Sequence, residues 1–323
     1  MDTAASQETS PGADRPQRRT LETMDIGPRS TTSTPFRQVD VFGEVPFSGN
    51  PVAVVGGSQE LTTEQMQAIS RWTNLSECTF LLPPQDDGTD AVADYRVRIF
   101  SLDEELSFAG HPTLGTARAW LDMGGVPARE DVIIQECGVG MVEIRRDGDD
   151  GERLAFAAPD LLRSGAVDDA QLEQILAALG ISRDVVVGAA WADNGPGWVG
   201  LLLDSPETVL SLRPNYGRTP ELSTPYIGVA AVREDGSATD LEVRAFFPDD
   251  AGAVREDPVT GSLNASLGQW LTDAGHLTTP YTAAQGTVLD RRGRVHLTVA
   301  DGRLWVGGST HVAVAGGIDL GLD

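Results

Sequence analysis

The sequence predicts an α+β fold made of two similar halves. Three observations carry that reading. Short strand-like runs dominate the chain, the few helical patterns do not alternate with them as in a βαβ protein, and one stretch recurs in both halves. In the first copy Arg98-Ile-Phe100 leads to His111-Pro-Thr-Leu-Gly115-Thr116. In the second, Arg244-Ala-Phe246 leads to Asp257-Pro-Val-Thr-Gly261-Ser262. Each later block starts thirteen positions after its arginine and runs on into a helical pattern, ARAWLDMG or LNASLGQWLTDAG. A duplicated domain accounts for this. On this ungapped alignment Gly-Thr and Gly-Ser open two helices, and His111 matches Asp257. Helix starts carry N–H groups without internal partners, so two that converge on one cleft make an anion site.

Residues 1–35 are rich in Ser, Thr, Pro and charge, and read as a disordered leader. Order begins with FRQVDVF, which alternates as a strand. PVAVV follows the Gly49-Asn50-Pro51 turn as a second strand. LTTEQMQAISRWT has a capping box, Thr62 with Gln65, and helical spacing through Met66, Ile69 and Trp72. CTFLLPP and YRVRIF read as strands, and VIIQE with MVEIRR as a hairpin around Gly138 and Gly140. Asp168 to Leu179 is a helix closed by Gly180. WVGLLLD, LEVRAFF, RVHLTVA, RLWVGG and THVAVAG complete the strands.

Composition excludes several classes. The chain has 323 residues, 48 acidic against 24 basic, for a net charge of −24. Nucleic acid and anionic membranes need clustered cations, so neither is an expected partner. All 24 basic residues are arginine. Without lysine there is no Schiff base for pyridoxal phosphate, no P-loop and no kinase strand lysine. The first twenty residues lack a signal-peptide core, no run reaches membrane-span length, and two cysteines make no disulfide framework. A cytoplasmic protein is expected. The four histidines (111, 276, 296, 311) are scattered, without HExxH or CxxC, so no metal site is expected. Gly138-Val-Gly140 lacks the third glycine of a dinucleotide fingerprint, and no GxSxG surrounds Ser262.

Three ionisable residues stand out. Glu77 precedes an apolar strand. It is either a solvated strand-end carboxylate or one whose burial raises its pKa into the range of proton transfer. His111 is a proton carrier, a substrate donor or a loop-fixing residue. Asp257 is a site residue or part of an Asp-Pro turn. Ser262 binds substrate, opens a helix, or does both. Cys78 faces away from Glu77 by strand alternation, toward the core, and nothing near Cys137 would activate a thiol.

FRQVDVFGEVPFSGNPVAVV, NLSECTF, RIFSLDEELSFAGHPTLGTA and EDPVTGS, in that order, together with Gln285-Gly286, resemble the phenazine-biosynthesis PhzF-like family from about Phe36 onward. The resemblance implies the diaminopimelate-epimerase-like fold, two pseudo-symmetric domains each with a curved sheet around a central helix. It implies a division into residues 36–155, completed by about 309–323, and 156–308. It implies a cofactor-independent isomerase and homodimer acting on a small carboxylate, such as trans-2,3-dihydro-3-hydroxyanthranilate. On this likeness Glu77 is the general acid/base, His111 and Asp257 are its catalytic companions, and Gly110, Gly261, Ser262 and Asn50 bind substrate. The cysteine pair of the fold's amino-acid racemases is missing from both glycine loops. An epimerase, or a binding protein on the same fold, is the alternative. Leu263-Asn264 replaces the small residues usual after the serine and is expected to reshape the pocket.

Overall fold

A computed structural model describes residues 33–85, 93–147, 152–249 and 252–320. Of the expected leader, residues 1–32 lie outside the described residues. Thr34 and Pro35 already belong to the first strand, two positions earlier than expected.

The first half begins with an antiparallel pair, β1 (Thr34–Val41) and β2 (Asn50–Val55). Helix α1 (Thr63–Thr73) has both arms of the expected capping box, between Thr62 and Gln65. Strand β3 (Glu77–Leu82) runs parallel to β2 and antiparallel to β4 (Tyr95–Ser101). The short β5 (Glu105–Leu106) folds back on β4, and α2 (Gly110–Asp122) follows. Strand β6 (Val132–Cys137) is parallel to β4, and β7 (Gly140–Asp147) and β8 (Arg153–Ala157) continue antiparallel.

The second half repeats the scheme. It contains β9 (Arg163–Ala166), α3 (Asp169–Leu179), β10 (Val186–Asp193), β11 (Val199–Leu203), α4 (Pro206–Ser211) and β12 (Ile227–Val232). Then come β13 (Leu241–Pro248), β14 (Val254–Asp257), α5 (Gly261–Asp273), β15 (Tyr281–Gln285), β16 (Gly293–Ala300) and β17 (Arg303–Ile318). Asp168 caps α3, and Gly180 ends it at φ 73, as the sequence predicts. RLWVGG and THVAVAG, read above as two strands, are one continuous β17.

The pairings prove the duplication. Along β1-β2-β3-β4-β6-β7-β8 the neighbours are antiparallel, parallel, antiparallel, parallel, antiparallel and antiparallel. Along β10-β11-β12-β13-β15-β16-β17 the order is identical. Strand β17 serves both sheets. Its start pairs with β16 and β8, and its end, from Thr310 to Ile318, pairs with β1, which closes the first sheet around α2. Both central helices are buried on nearly every face over their first turns, as helices enclosed by sheet must be.

The structure corrects the repeat alignment. Arg98 grips Glu105 with two hydrogen bonds, of 2.7 and 2.6 Å, and Arg244 grips Glu256 with two, of 2.9 and 2.7 Å. Each guanidinium also lies over the phenylalanine two residues on, Phe100 or Phe246. Arg98 and Glu105 are 7 positions apart, Arg244 and Glu256 are 12, so the second hairpin is five residues longer. The helices therefore align Gly110 with Gly261, and His111 with Ser262 rather than Asp257, whose counterpart is Leu106. Gly115-Thr116 does not open a helix. It lies inside α2, where the Thr116 hydroxyl meets Pro112 O at 2.7 Å and Thr79 Oγ1 at 2.8 Å.

Gly110 and Gly261 are the first residues of the two central helices, and they touch. A Cβ on either would lie 2.9 Å from the Cα of the other, against backbone that cannot yield. Gly110→Ala or Gly261→Ala is expected to cost roughly 1–3 kcal/mol in urea unfolding, the range for overpacking. Gly316→Ala, where an added Cβ meets nothing within 4 Å, should stay within about 0.5 kcal/mol.

Candidate active site

The meeting of α2 and α5 creates the site. Their preceding residues, Ala109 and Thr260, make no side-chain cap to either helix. In α2 the first internal bond comes from Thr113 to Ala109, and in α5 from Asn264 to Thr260. The N–H groups of Gly110, His111, Gly261 and Ser262 therefore have no partner within their helices, and the positive ends of both dipoles face one place.

Glu77, Asn50, His111 and Asp257 gather beside these helix ends. Glu77 is the first residue of β3, and its side chain is 18% exposed. Its Oε2 lies 3.4 Å from His111 Nε2, and neither atom has a hydrogen-bond partner. Asn50 Nδ2 donates to Asp257 Oδ1 at 2.9 Å and to Val259 O at 3.0 Å, and lies 3.4 Å from His111 Nδ1. The Thr260 hydroxyl donates to Asp257 Oδ2 at 2.6 Å. Two chain segments 207 positions apart are thus tied directly, Asn50 to Asp257.

Burial sets the charges. It raises the Glu77 pKa well above its ordinary value, and the negative charge of Asp257 adds to the effect. Burial also lifts Asp257 to about 6, against the opposing hydrogen bonds from Thr260 and Asn50. His111 falls to about 3 because burial disfavours the imidazolium, opposed by a hydrogen bond to the Pro51 backbone. With its imidazole uncharged, His111 does not form an ion pair with Glu77.

Supporting residues hold these side chains. The buried Asp40 carboxyl accepts from the Ser48 and Gly49 N–H groups, at 3.1 and 2.9 Å, and so fixes the turn that delivers Asn50. The Trp198 indole N–H donates to Ser262 Oγ at 3.2 Å, and Asn194 Nδ2 to Ser262 O at 2.9 Å. Gln285, wholly buried, bonds to Thr260 and to the Asp257 carbonyl. The structure brings together all seven residues singled out in the sequence. Sequence reasoning missed Thr260, Trp198, Asn194 and Asp40. A threonine three positions after an aspartate is a local signal that could have found Thr260; Asp40 comes from β1, and Asn194 and Trp198 from the loop between β10 and β11.

Cys78 is buried, and desolvation pushes its thiol up to about 12, so it faces the core as expected. Leu263 and Asn264 follow Ser262 in α5. Both are buried in the core, Leu263 beside Gly228 and Asn264 bonded to Thr260 O and Gln285 Oε1. Among the described residues no group of three or more His, Cys, Asp or Glu could hold a metal, and no helix is long and apolar enough to cross a membrane.

Two matched half-sheets around helices that meet end to end make the diaminopimelate-epimerase-like fold, and the chain is similar to the solved structures of a predicted epimerase from Pseudomonas aeruginosa and a probable proline racemase from Agrobacterium radiobacter, with TM-scores of 0.67 and 0.53. The family model described as "Phenazine biosynthesis-like protein" matches residues 39–317. The trans-2,3-dihydro-3-hydroxyanthranilate isomerase of Pseudomonas aeruginosa is 33% identical over 262 residues, 80% of this chain and 87% of its own. Antisense-enhancing sequence 1 of Schizosaccharomyces pombe is 35% identical over 301 residues, 88% of this chain and 98% of its own. A PhzF-family structure from Enterococcus faecalis superposes with TM-score 0.69 at 26% identity, covering 89% of this chain and 99% of that one. The chain belongs to the phenazine biosynthesis-like, or PhzF, family and is an isomerase.

The raised Glu77 pKa has a thermodynamic consequence. Below about 4.5, its ordinary value, the carboxyl is protonated in both folded and unfolded chains and contributes nothing. Above it the unfolded chain ionises first, so the stability lost through Glu77 grows with pH up to its folded-state pKa and stays lost beyond it. Glu77→Gln removes that loss. Its Tm is expected to exceed the wild-type value at pH 8 and to equal it at pH 4, read by calorimetry.

Proposed function

We propose that this isomerase moves a proton between carbons of a small carboxylate substrate without a cofactor, with Glu77 as the general acid/base. One observation carries the reading. Among the described residues of the site, Glu77 Oε2 is the buried carboxyl oxygen that receives no hydrogen bond, and it stands beside two helix ends whose free N–H groups suit an anion. The substrate carboxylate lies on the N–H groups of Gly110, His111, Gly261 and Ser262, with the Ser262 hydroxyl in support. In its ionised form Glu77 takes a proton from one carbon and returns it to another on the same face. Its raised pKa makes it basic enough to do so near neutrality.

His111, neutral, faces Glu77 with its unpartnered Nε2, and holds the substrate and the shifting charge. Asn50, 3.4 Å from the other ring nitrogen, and Asp257, bonded to Asn50, orient the substrate's polar groups. A thiol-pair racemase has no support, since Cys78 faces the core and the matched second positions of α2 and α5 carry His111 and Ser262. The relative named for trans-2,3-dihydro-3-hydroxyanthranilate makes that compound, or a related small carboxylate, the substrate to try first. The likeness also extends the proposal to a homodimer.

Incubation with trans-2,3-dihydro-3-hydroxyanthranilate in D2O, followed by proton NMR, tests the reading. Solvent deuterium is expected at a new ring carbon, and Glu77→Gln should lower kcat by about 10²–10⁴-fold. Full activity in that variant overturns the role of Glu77. An unchanged wild-type spectrum rejects this substrate.

A further inference from the structure

We propose that Gln285 and Thr260 hold Asp257 as the ionised member of the carboxyl pair, so that the one proton the pair shares in the empty site sits on Glu77. Both are positioning residues, and the inference rests on the function proposed above.

Donor directions carry the argument. The Thr260 backbone N–H donates to Gln285 Oε1 at 3.0 Å, and a backbone N–H can only donate. That fixes which end of the Gln285 amide is oxygen. Asn264 Nδ2, itself anchored on Thr260 O, donates to the same oxygen at 2.7 Å. Gln285 Nε2 must then face Thr260 Oγ1, at 2.9 Å, and the Asp257 carbonyl, at 3.1 Å, and it donates to both. The amide has used every donor and acceptor it has. Thr260 Oγ1 accepts from Gln285, so its single proton goes to Asp257 Oδ2, 2.6 Å away. Asn50 Nδ2, oriented by Val259 O, donates to Oδ1. Asp257 therefore accepts at both oxygens, which favours the carboxylate.

Glu77 is the opposite case, since no donor reaches its Oε2. Of the neighbouring ionisable groups, Glu256 on β14 carries a negative charge that opposes ionisation of Asp257, although Arg244 holds it with two bonds, and His111 on α2 carries no charge. Two buried carboxyls in one site share one proton, and it goes to Glu77, whose Oε2 meets no donor. The fixed charge of Asp257 in turn strengthens Glu77 as a base for a weakly acidic carbon.

The chain offers a clean variant, because Thr260→Val keeps the shape and removes only the hydroxyl. With side-chain carboxyls of Asp and Glu labelled with ¹³C and assigned through Glu77→Gln and Asp257→Asn, NMR titration reads where the proton lies without any substrate. At a pH between the two titration steps of the pair, the wild-type Glu77 carbon should show the protonated shift and Asp257 the ionised one. Thr260→Val should move Asp257 toward protonated and Glu77 toward ionised. Gln285→Leu should act in the same direction, and Thr260→Ser should restore the wild-type pattern. In turnover, Thr260→Val should lower kcat roughly 10-fold, as loss of one hydrogen bond to a charged group does, with recovery in Thr260→Ser. A wild-type proton on Asp257, or identical titrations in wild type and Thr260→Val, overturns the inference. Because the titration needs no turnover, its outcome is independent of whether the proposed substrate reacts.

Discussion

The contact of Gly110 with Gly261 is the constraint on which the rest depends. Two enclosed helices point their N-termini at each other, and only residues without a side chain let them approach so closely. If the contact opens, the free N–H groups of the two helices no longer share a place. His111 would also separate from Asn50 and Asp257, which reach it from the other elements at the junction. The sheets enforce the arrangement. Each wraps its helix with the same order of strand directions, and β17 belongs to both, so neither half can shift without dragging the other.

Burial at that junction does the chemical work. A carboxyl removed from water is reluctant to ionise, and a second one beside it raises the cost further. The site meets this with an unequal division of donors. Asp257 receives hydrogen bonds from Thr260 and Asn50, and Glu77 Oε2 receives none. The histidine adds no charge to compensate, because the same burial keeps it neutral. The proposed proton transfer rests on this unequal division beside the two helix ends.

Much of the local structure was legible in the sequence. The Thr62–Gln65 capping box, Asp168 as the start of α3 and Gly180 as its end are local devices, decided within a few residues. The strand FRQVDVF and the strand opened by Glu77 follow from alternation and apolar runs. Motifs and family likeness also singled out seven residues that the fold brings to one place. Failure came where spacing crossed a hairpin. The ungapped match of His111 with Asp257 looked convincing, yet the second hairpin is five residues longer, and the true counterpart of His111 is Ser262. An insertion between paired strands changes sequence distance without moving the elements it joins, so spacing alone could not reveal it.

By itself, then, the sequence determined a duplicated α+β chain, its lysine-free and acidic composition, its helix caps, and the residues from which a site could be made. Tertiary structure alone decided what those residues are to each other. Asn50 meets Asp257 across 207 positions, and Gln285 reaches Thr260 only because β15 lies parallel to β13. Protonation belongs to this second group too. A glutamate's pKa depends on the water it has lost and the donors it faces, and both are properties of the folded site, which no stretch of sequence contains.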